Sequence, residues 1–478
     1  MANALWSADE LLAATGGALR GNVTKTLGGV SIDSRSVANG DIFVAIKGDS
    51  MDGHAFVAKA LQAGAGLAVV SKATPDMQAA GPLLVVPDDC LKALESMGRA
   101  ARQRSHGKVI AVTGSVGKTS TKEMLQVALS ASGETHASAA SFNNHWGVPL
   151  TLARFARSSA FGVFEIGMNH GGEITPLVDM VKPHVAIVTT VAASHLGHFA
   201  SLDEIADAKA EIFSGVVAGG SAVINQDSPY FEKLALAARH AGISAIHGFG
   251  KHADATVHLE RIALHAECCC ITAEILGEKL VYKLGMPGAH MAMNSLAVLA
   301  AAKLAGADLA RAALALADAK PAKGRGVQQR LDTGAGDILL IDESYNANPA
   351  SMAAALSLLT QAKPGKGGRR VAVLGDMLEL GKFGPELHAG LAKDIDEAGV
   401  DVLYAAGPLM AHLWSAVPTG KRGAYAETSA ELKDIVLASL RPGDCVVIKG
   451  SLGSRMGPIA EAMKNKWAER QLKSQKES

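Results

Sequence analysis

The sequence has no excess of charge of either sign: 46 Lys and Arg stand against 46 Asp and Glu, a formal net charge of zero. That argues against a nucleic-acid or polyanion binder, which needs a basic face to neutralise phosphates. Aromatic residues are scarce, at 4%, and an aromatic-rich all-β sandwich is not expected. Cysteine is scarce too. Three of the five residues are adjacent, at Cys268, Cys269 and Cys270. Neighbours in sequence rarely bridge, and no CxxC or Cys/His zinc spacing occurs, so the expectation is reduced thiols in a cytoplasmic protein. Met1 to Glu10 lacks the basic and apolar regions of a signal peptide. No membrane span is expected either, since the Ala-rich stretch from Ser295 to Ala319 is interrupted by Lys303, Asp308, Arg311 and Asp318.

What is present is length, apolar material and glycine: 478 residues, 48% hydrophobic, 51 Gly. At roughly 150 residues per domain this suggests about three domains, with many tight βα turns. In residues 1–87, Ile42–Ile46 and Leu83–Val86 read as strands around a helix near Phe56–Gly64. In residues 88–320, Lys108–Val112, Phe161–Ile166, Val185–Val191 and Ala222–Ile224 are strand runs separated by helical stretches. A linker is expected at Ala319–Gly326. In residues 321–478 the alternation resumes at Ile338–Ile341, Val371–Leu374, Val402–Ala405 and Cys445–Ile448, ending in a polar tail from about Lys464. The fold class is therefore α/β: a small N-terminal domain, a central doubly wound parallel sheet, and a second sheet of the same kind.

Thr113-Gly114-Ser115-Val116-Gly117-Lys118-Thr119 follows a strand and opens a helix. A phosphate needs backbone N–H donors, the positive end of a helix and a point charge. The two glycines let the backbone approach, Lys118 reaches the phosphates of ATP, and Thr119 supplies a hydroxyl to Mg²⁺. The full spacing would place a glycine where Val112 stands, so this is a shortened P-loop. Glu165 and His195 fall at carboxyl ends of strands, where ligands of open α/β sheets bind, and Glu165 can complete a Mg²⁺ shell. Each alone reads more readily as a hydrogen-bonded strand-end, surface or capping residue. Lys209 is different. Ser201 to Glu204 reads as a capping box, and the apolar stripe Leu202, Ile205, Ile212, Phe213 of the helix it opens includes Lys209. Either its stem is buried with the head in water, or the amine points inward with a lowered pKa. Three further polar loops, at 342–349, 375–379 and 449–455, end strands of the second sheet and share one edge.

Together these residues resemble the Mur ligases, ATP-dependent amide-bond-forming enzymes of bacterial cell-wall assembly. The resemblance covers nearly the whole chain. It runs through Ser31-Ile32-Asp33-Ser34-Arg35, Asp52-Gly53-His54, the short P-loop, Asn143-Asn144, Glu165–Asn169, His195, Lys209, Gly288-Ala289-His290 with Asn294, Gly324-Arg325, Tyr345–Pro349 and Gly375–Glu379. It implies a UDP-substrate-binding N-terminal domain, a central ATP-binding domain and a Rossmann-like C-terminal domain. It implies that Thr113–Thr119 hold ATP phosphates, and that Thr119, Glu165 and His195 serve Mg²⁺. By the same resemblance Lys209 is carbamylated and becomes a metal ligand, Asn294 lies on the adenine side, and Arg325 reaches nucleotide phosphate. Ser34 and Arg35 match the uridine-diphosphate end, and Asn346 and Asn348 the place of the incoming amine.

The Tyr-Asn-Ala-Asn-Pro run favours the family member that adds D-alanyl-D-alanine to UDP-N-acetylmuramoyl-tripeptide. The Asp-Asn-Pro-Arg/Lys signature of the member adding the third residue is missing, and diaminopimelate and lysine both stay open as that residue. Asp342-Glu343 stands where paired aspartates are usual. A monomer is expected. Two other readings are weaker. A folylpolyglutamate-type ligase lacks the N-terminal unit with Asp33-Ser34-Arg35, and a nucleotide switch would not need the second α/β domain.

Overall fold

The structure, a computed structural model, describes residues 4–139 and 141–474. The tail expected from Lys464 is helical as far as the described residues reach, as part of Gly457–Ser474; the rest of it lies outside them.

The first sheet has five strands in the order Ala18–Arg20, Leu83–Val85, Leu67–Val70, Asp41–Val44, Gly29–Ser31. Only the first pair is antiparallel. Its apolar cluster includes Cys90, Leu94 and Met97 of helix Cys90–Arg104, and Leu150 and Ala153 of helix Gly147–Ala153. The first and central units therefore share a packed seam.

The central sheet has nine strands, in the order Glu278–Leu284, Cys269–Ile275, Val257–Leu264, Ala245–Gly250, Ser221–Asn225, Val185–Val188, Lys108–Thr113, Phe161–Glu165, Thr135–Ala137. Strand Lys108–Thr113 sends Ile110 and Val112 to one apolar layer and Val109 and Ala111 to the other. Helices Lys118–Ser130 and Ala289–Leu304 cover the first face; Ile174–Val181, Leu202–Ala210 and Phe231–His240 cover the second. Both faces being covered is why the strand reads as an unbroken apolar run.

The central sheet is parallel, as expected, from Thr135–Ala137 across to Val257–Leu264. Residues 257–284 form an antiparallel meander added to one edge. Cys269–Ile275 alternates buried and more exposed positions: one face packs on helix Ala289–Leu304 and the other meets water, the pattern of an antiparallel strand. The Ala-rich stretch from Ser295 to Ala319 falls on two helices, Ala289–Leu304 and Leu309–Ala315, separated where Gly306 takes φ +83°.

The third sheet runs Val327–Asp332, Asp337–Glu343, Cys445–Lys449, Arg370–Gly375, Val402–Ala406, Arg422–Ala426. It is parallel except for its first hairpin. The two outer strands, Val327–Asp332 and Arg422–Ala426, had no strand signal in the sequence. No described helix is long and apolar enough to cross a membrane.

Candidate active site

The P-loop is shaped by its glycines. Gly114 has φ +146°, and a Cβ there would collide with Thr189 Oγ1; Gly117 has φ +89°, and a Cβ would press on the Asn294 amide. Only glycine tolerates both the conformation and the approach. The segment after strand Val185–Val188 holds the loop from below. Thr189 Oγ1 donates to Val116 O at 2.6 Å, and Ser115 Oγ donates to Ala192 O at 2.9 Å. Gly117 caps helix Lys118–Ser130 without any side-chain hydrogen bond, which leaves the N–H groups of the first turn to an anion. Lys118 folds back over the loop, its Nζ donating to Gly114 O at 2.6 Å. Loss of hydration lowers its pKa, and nearby Arg325 adds to this while Glu165 opposes it.

Glu165 ends the neighbouring strand, fully buried. Thr119 Oγ1 donates to Glu165 Oε2 at 2.9 Å, and Asn143 Nδ2 donates to Oε1 at 2.6 Å. Two hard oxygens thus sit together beside the loop, as a magnesium ion completed by nucleotide oxygens requires. No group of three His, Cys, Asp or Glu clusters as a metal site among the described residues. A cation here would depend on the hydroxyl, one carboxylate and ligand oxygens.

His195 sits at φ +58°, a rare backbone conformation for a residue with a side chain. Burial lowers its pKa first, and the Lys118 charge lowers it further. Lys209 is 2% exposed on helix Leu202–Ala210, which settles the sequence ambiguity in favour of an inward amine. Its pKa falls well below the ordinary value through burial and then through the Lys118 charge. Two lysines and His195 therefore share one electrostatic neighbourhood.

The C-terminal domain closes the other side. A cavity of about 260 Å³ is lined by Ser115–Thr119, Glu165 and His195 from the central domain, and by Arg325, Glu343, Tyr345, Asn346, Asn348 and Lys449. Arg325 bridges the domains: its Nη2 donates to Ser141 Oγ at 3.1 Å and its guanidinium lies 4.3 Å from the Tyr345 ring centroid. Asn348 caps helix Pro349–Gln361, its Oδ1 accepting from Ser351 N at 2.9 Å, so only its amide NH₂ remains for a ligand. Asp342 is engaged elsewhere, bonded by Ser344 Oγ at 2.7 Å and by Lys464 Nζ at 2.9 Å. Of the Asp342-Glu343 pair, Glu343 is the one that lines the cavity.

Four groups of expected residues are not on this lining. Thr113, Gly114 and Lys209 are not among the cavity's lining residues, and Asn294 packs against Gly117. Instead His290 and Met291, one turn before Asn294, line the cavity. Ser34 and Arg35 are in the first domain, at the carboxyl end of strand Gly29–Ser31. There Arg35 makes a two-pronged pair with Asp33 (2.9 and 2.6 Å), which holds the Asp33 pKa down at about 2.

Comparison with known proteins follows this geometry closely. Three family descriptions match in order: Mur ligase family, catalytic domain at residues 26–102; Mur ligase middle domain at 112–302; and Mur ligase, glutamate ligase domain at 329–452. The chain belongs to the Mur ligase family. Among curated Mur ligases, the UDP-N-acetylmuramoyl-tripeptide–D-alanyl-D-alanine ligase of Rickettsia prowazekii is 31% identical, covering 90% of this chain and 94% of that one. The Escherichia coli ligase of the same name is 32% identical, covering 92% and 94%. Among solved structures, MurF from Acinetobacter baumannii superposes with a TM-score of 0.83 at 31% identity, covering 96% of this chain and 99% of that one. MurF ligase from Thermotoga maritima in complex with ADP shares the fold at 24% identity, with a TM-score of 0.75, 93% of this chain and 99% of that one.

Within this Mur ligase, sequence reasoning passed over Asn143, Glu343 and Lys449 as site residues. The Asn143-Asn144 pair in an irregular stretch was a signal for the first. A lysine ending the apolar run Cys445–Lys449 was a signal for the last.

Proposed function

We propose that this Mur ligase joins D-alanyl-D-alanine to UDP-N-acetylmuramoyl-tripeptide with ATP, releasing ADP and phosphate. The observation that carries the reading is the single cavity where the P-loop, Glu165 and His195 of one domain meet Arg325, Asn346 and Asn348 of another. Ligases of this name cover over nine-tenths of their length with this chain.

A carboxylate is a poor acyl donor because oxide is a poor leaving group. One of its oxygens attacks the γ-phosphorus of ATP, ADP leaves, and an acyl phosphate forms. The dipeptide amine then attacks the acyl carbon, loses its proton, and phosphate departs carrying the former carboxylate oxygen. The N–H groups at Gly117–Thr119 and the Lys118 ammonium hold the phosphates and take up charge developing in transfer. Thr119 and Glu165, with His195, would hold Mg²⁺, which would supply positive charge against the transferring phosphoryl group. Lys209, as its carbamate, would be an anion beside Lys118, and so replaces two repelling cations by an attracting pair. Arg325 and Tyr345 steer the nucleotide from the C-terminal side, while Asn346 and the Asn348 amide receive the dipeptide. Ser34 and Arg35 hold the uridine diphosphate. Docking of the two domains keeps water from the acyl phosphate.

The test is product release. ADP forms only when the UDP-tripeptide and D-alanyl-D-alanine are both present. ATP hydrolysis that ignores both substrates would identify a nucleotide switch instead.

A further inference from the structure

The C-terminal domain contributes one more group to the central site. His195 Nδ1 and Glu379 Oε2 are 2.6 Å apart, although 184 residues separate them. The contact is built, not incidental. Both residues have positive φ, +58° and +63°, a backbone region that residues with a side chain seldom occupy. Beside them the backbones lock: Gly197 N donates to Glu379 O at 2.8 Å, and Gly381, at φ +54°, lies so close that a Cβ on it would come within 2.9 Å of Gly197 Cα. His195 Nδ1 is thus engaged, and its other nitrogen remains for the ATP site that the ring lines.

We propose that Glu379 is a positioning residue: it fixes the His195 imidazole from the C-terminal domain, so the central ATP site is complete only when the two domains are docked. The proposal rests on the ligase reading and adds a coupling to it. The domain that receives the dipeptide also licenses phosphoryl transfer, so the acyl phosphate forms where its acceptor is already at hand. When the domains part, His195 loses the hydrogen bond that orients it.

Glu379→Ala and Glu379→Gln test this in the full chain. Glutamine keeps an acceptor oxygen for the Nδ1 hydrogen; alanine does not. Neither touches the Gly197–Glu379 backbone bond. The expected result for Glu379→Ala is a kcat at least about 10-fold lower, with KM for the UDP-tripeptide unchanged, and Glu379→Gln recovers most of the loss. A second readout needs no turnover: small-angle scattering of Glu379→Ala with a non-hydrolysable ATP analogue gives a larger radius of gyration than the wild type. A wild-type kcat in Glu379→Ala overturns the proposal, as does an alanine defect that glutamine does not relieve. If the wild type itself lacks dipeptide-dependent ADP release, the ligase reading fails, and the scattering comparison still reports on the latch.

Discussion

Thr119 Oγ1 and Glu165 Oε2 are joined by a 2.9 Å hydrogen bond between the first turn of helix Lys118–Ser130 and the end of the adjacent strand. The bond brings a hydroxyl and a carboxylate oxygen, the pair proposed to hold magnesium, to one point beside the P-loop. Asn143 fixes the carboxylate from the other side, so its orientation is set before any ligand arrives.

Glu165→Gln keeps the shape and removes the charge. The expected loss in kcat is about 10²-fold, partly offset by raising magnesium. Steady-state rates across a magnesium titration check this. A variant as active as the wild type at limiting magnesium would remove Glu165 from the metal shell.

Lys209→Ala removes the buried amine without a bulky replacement. A loss of about 10²-fold or more is expected, with the melting temperature held or raised, because an ionisable group leaves the interior. Short-chain carboxylic acids added to the variant restore part of the activity by standing in for the carbamate. Full activity in Lys209→Ala would eliminate the carbamate.

The inward amine was legible because a lysine on an apolar helical stripe violates a strong rule, and the structure buries it. The P-loop was legible because glycine spacing, strand and helix all agree. The meander at 257–284 was not: its strands keep one wet face and alternate, so no continuous apolar run marks them. Glu379 was visible only as part of a polar loop. Its meeting with His195 depends on how two domains dock, which local pattern does not encode.

His184 offers a pH test away from the site. Its Nδ1 accepts the Val109 N–H at 3.0 Å, and burial, then Arg102, pull its pKa from 6.5 to about 4. The folded protein therefore resists protonation that the unfolded chain accepts. This contribution is intact above pH about 6.5 and is lost as pH falls toward about 4. Melting temperature measured from pH 7 to pH 4 should fall less steeply in His184→Asn than in the wild type. Parallel profiles would contradict the assignment.

Asp444, fully buried, accepts from Arg369 Nη2 at 2.7 Å and Arg369 N at 2.9 Å, and pins the start of the central strand of the third sheet. Asp444→Ala leaves the guanidinium without its partner, and a loss of about 3 kcal/mol is expected. Urea unfolding followed in the C-terminal domain measures it. A shift within error of zero would mean the pair contributes no net stability.

The most direct measurement follows one oxygen. With the terminal carboxylate of the UDP-tripeptide labelled with ¹⁸O, turnover with ATP and D-alanyl-D-alanine should place one labelled oxygen in each released phosphate, read by mass spectrometry. Phosphate that carries no label, while the amide forms, would contradict activation of the peptide end by phosphoryl transfer at the P-loop.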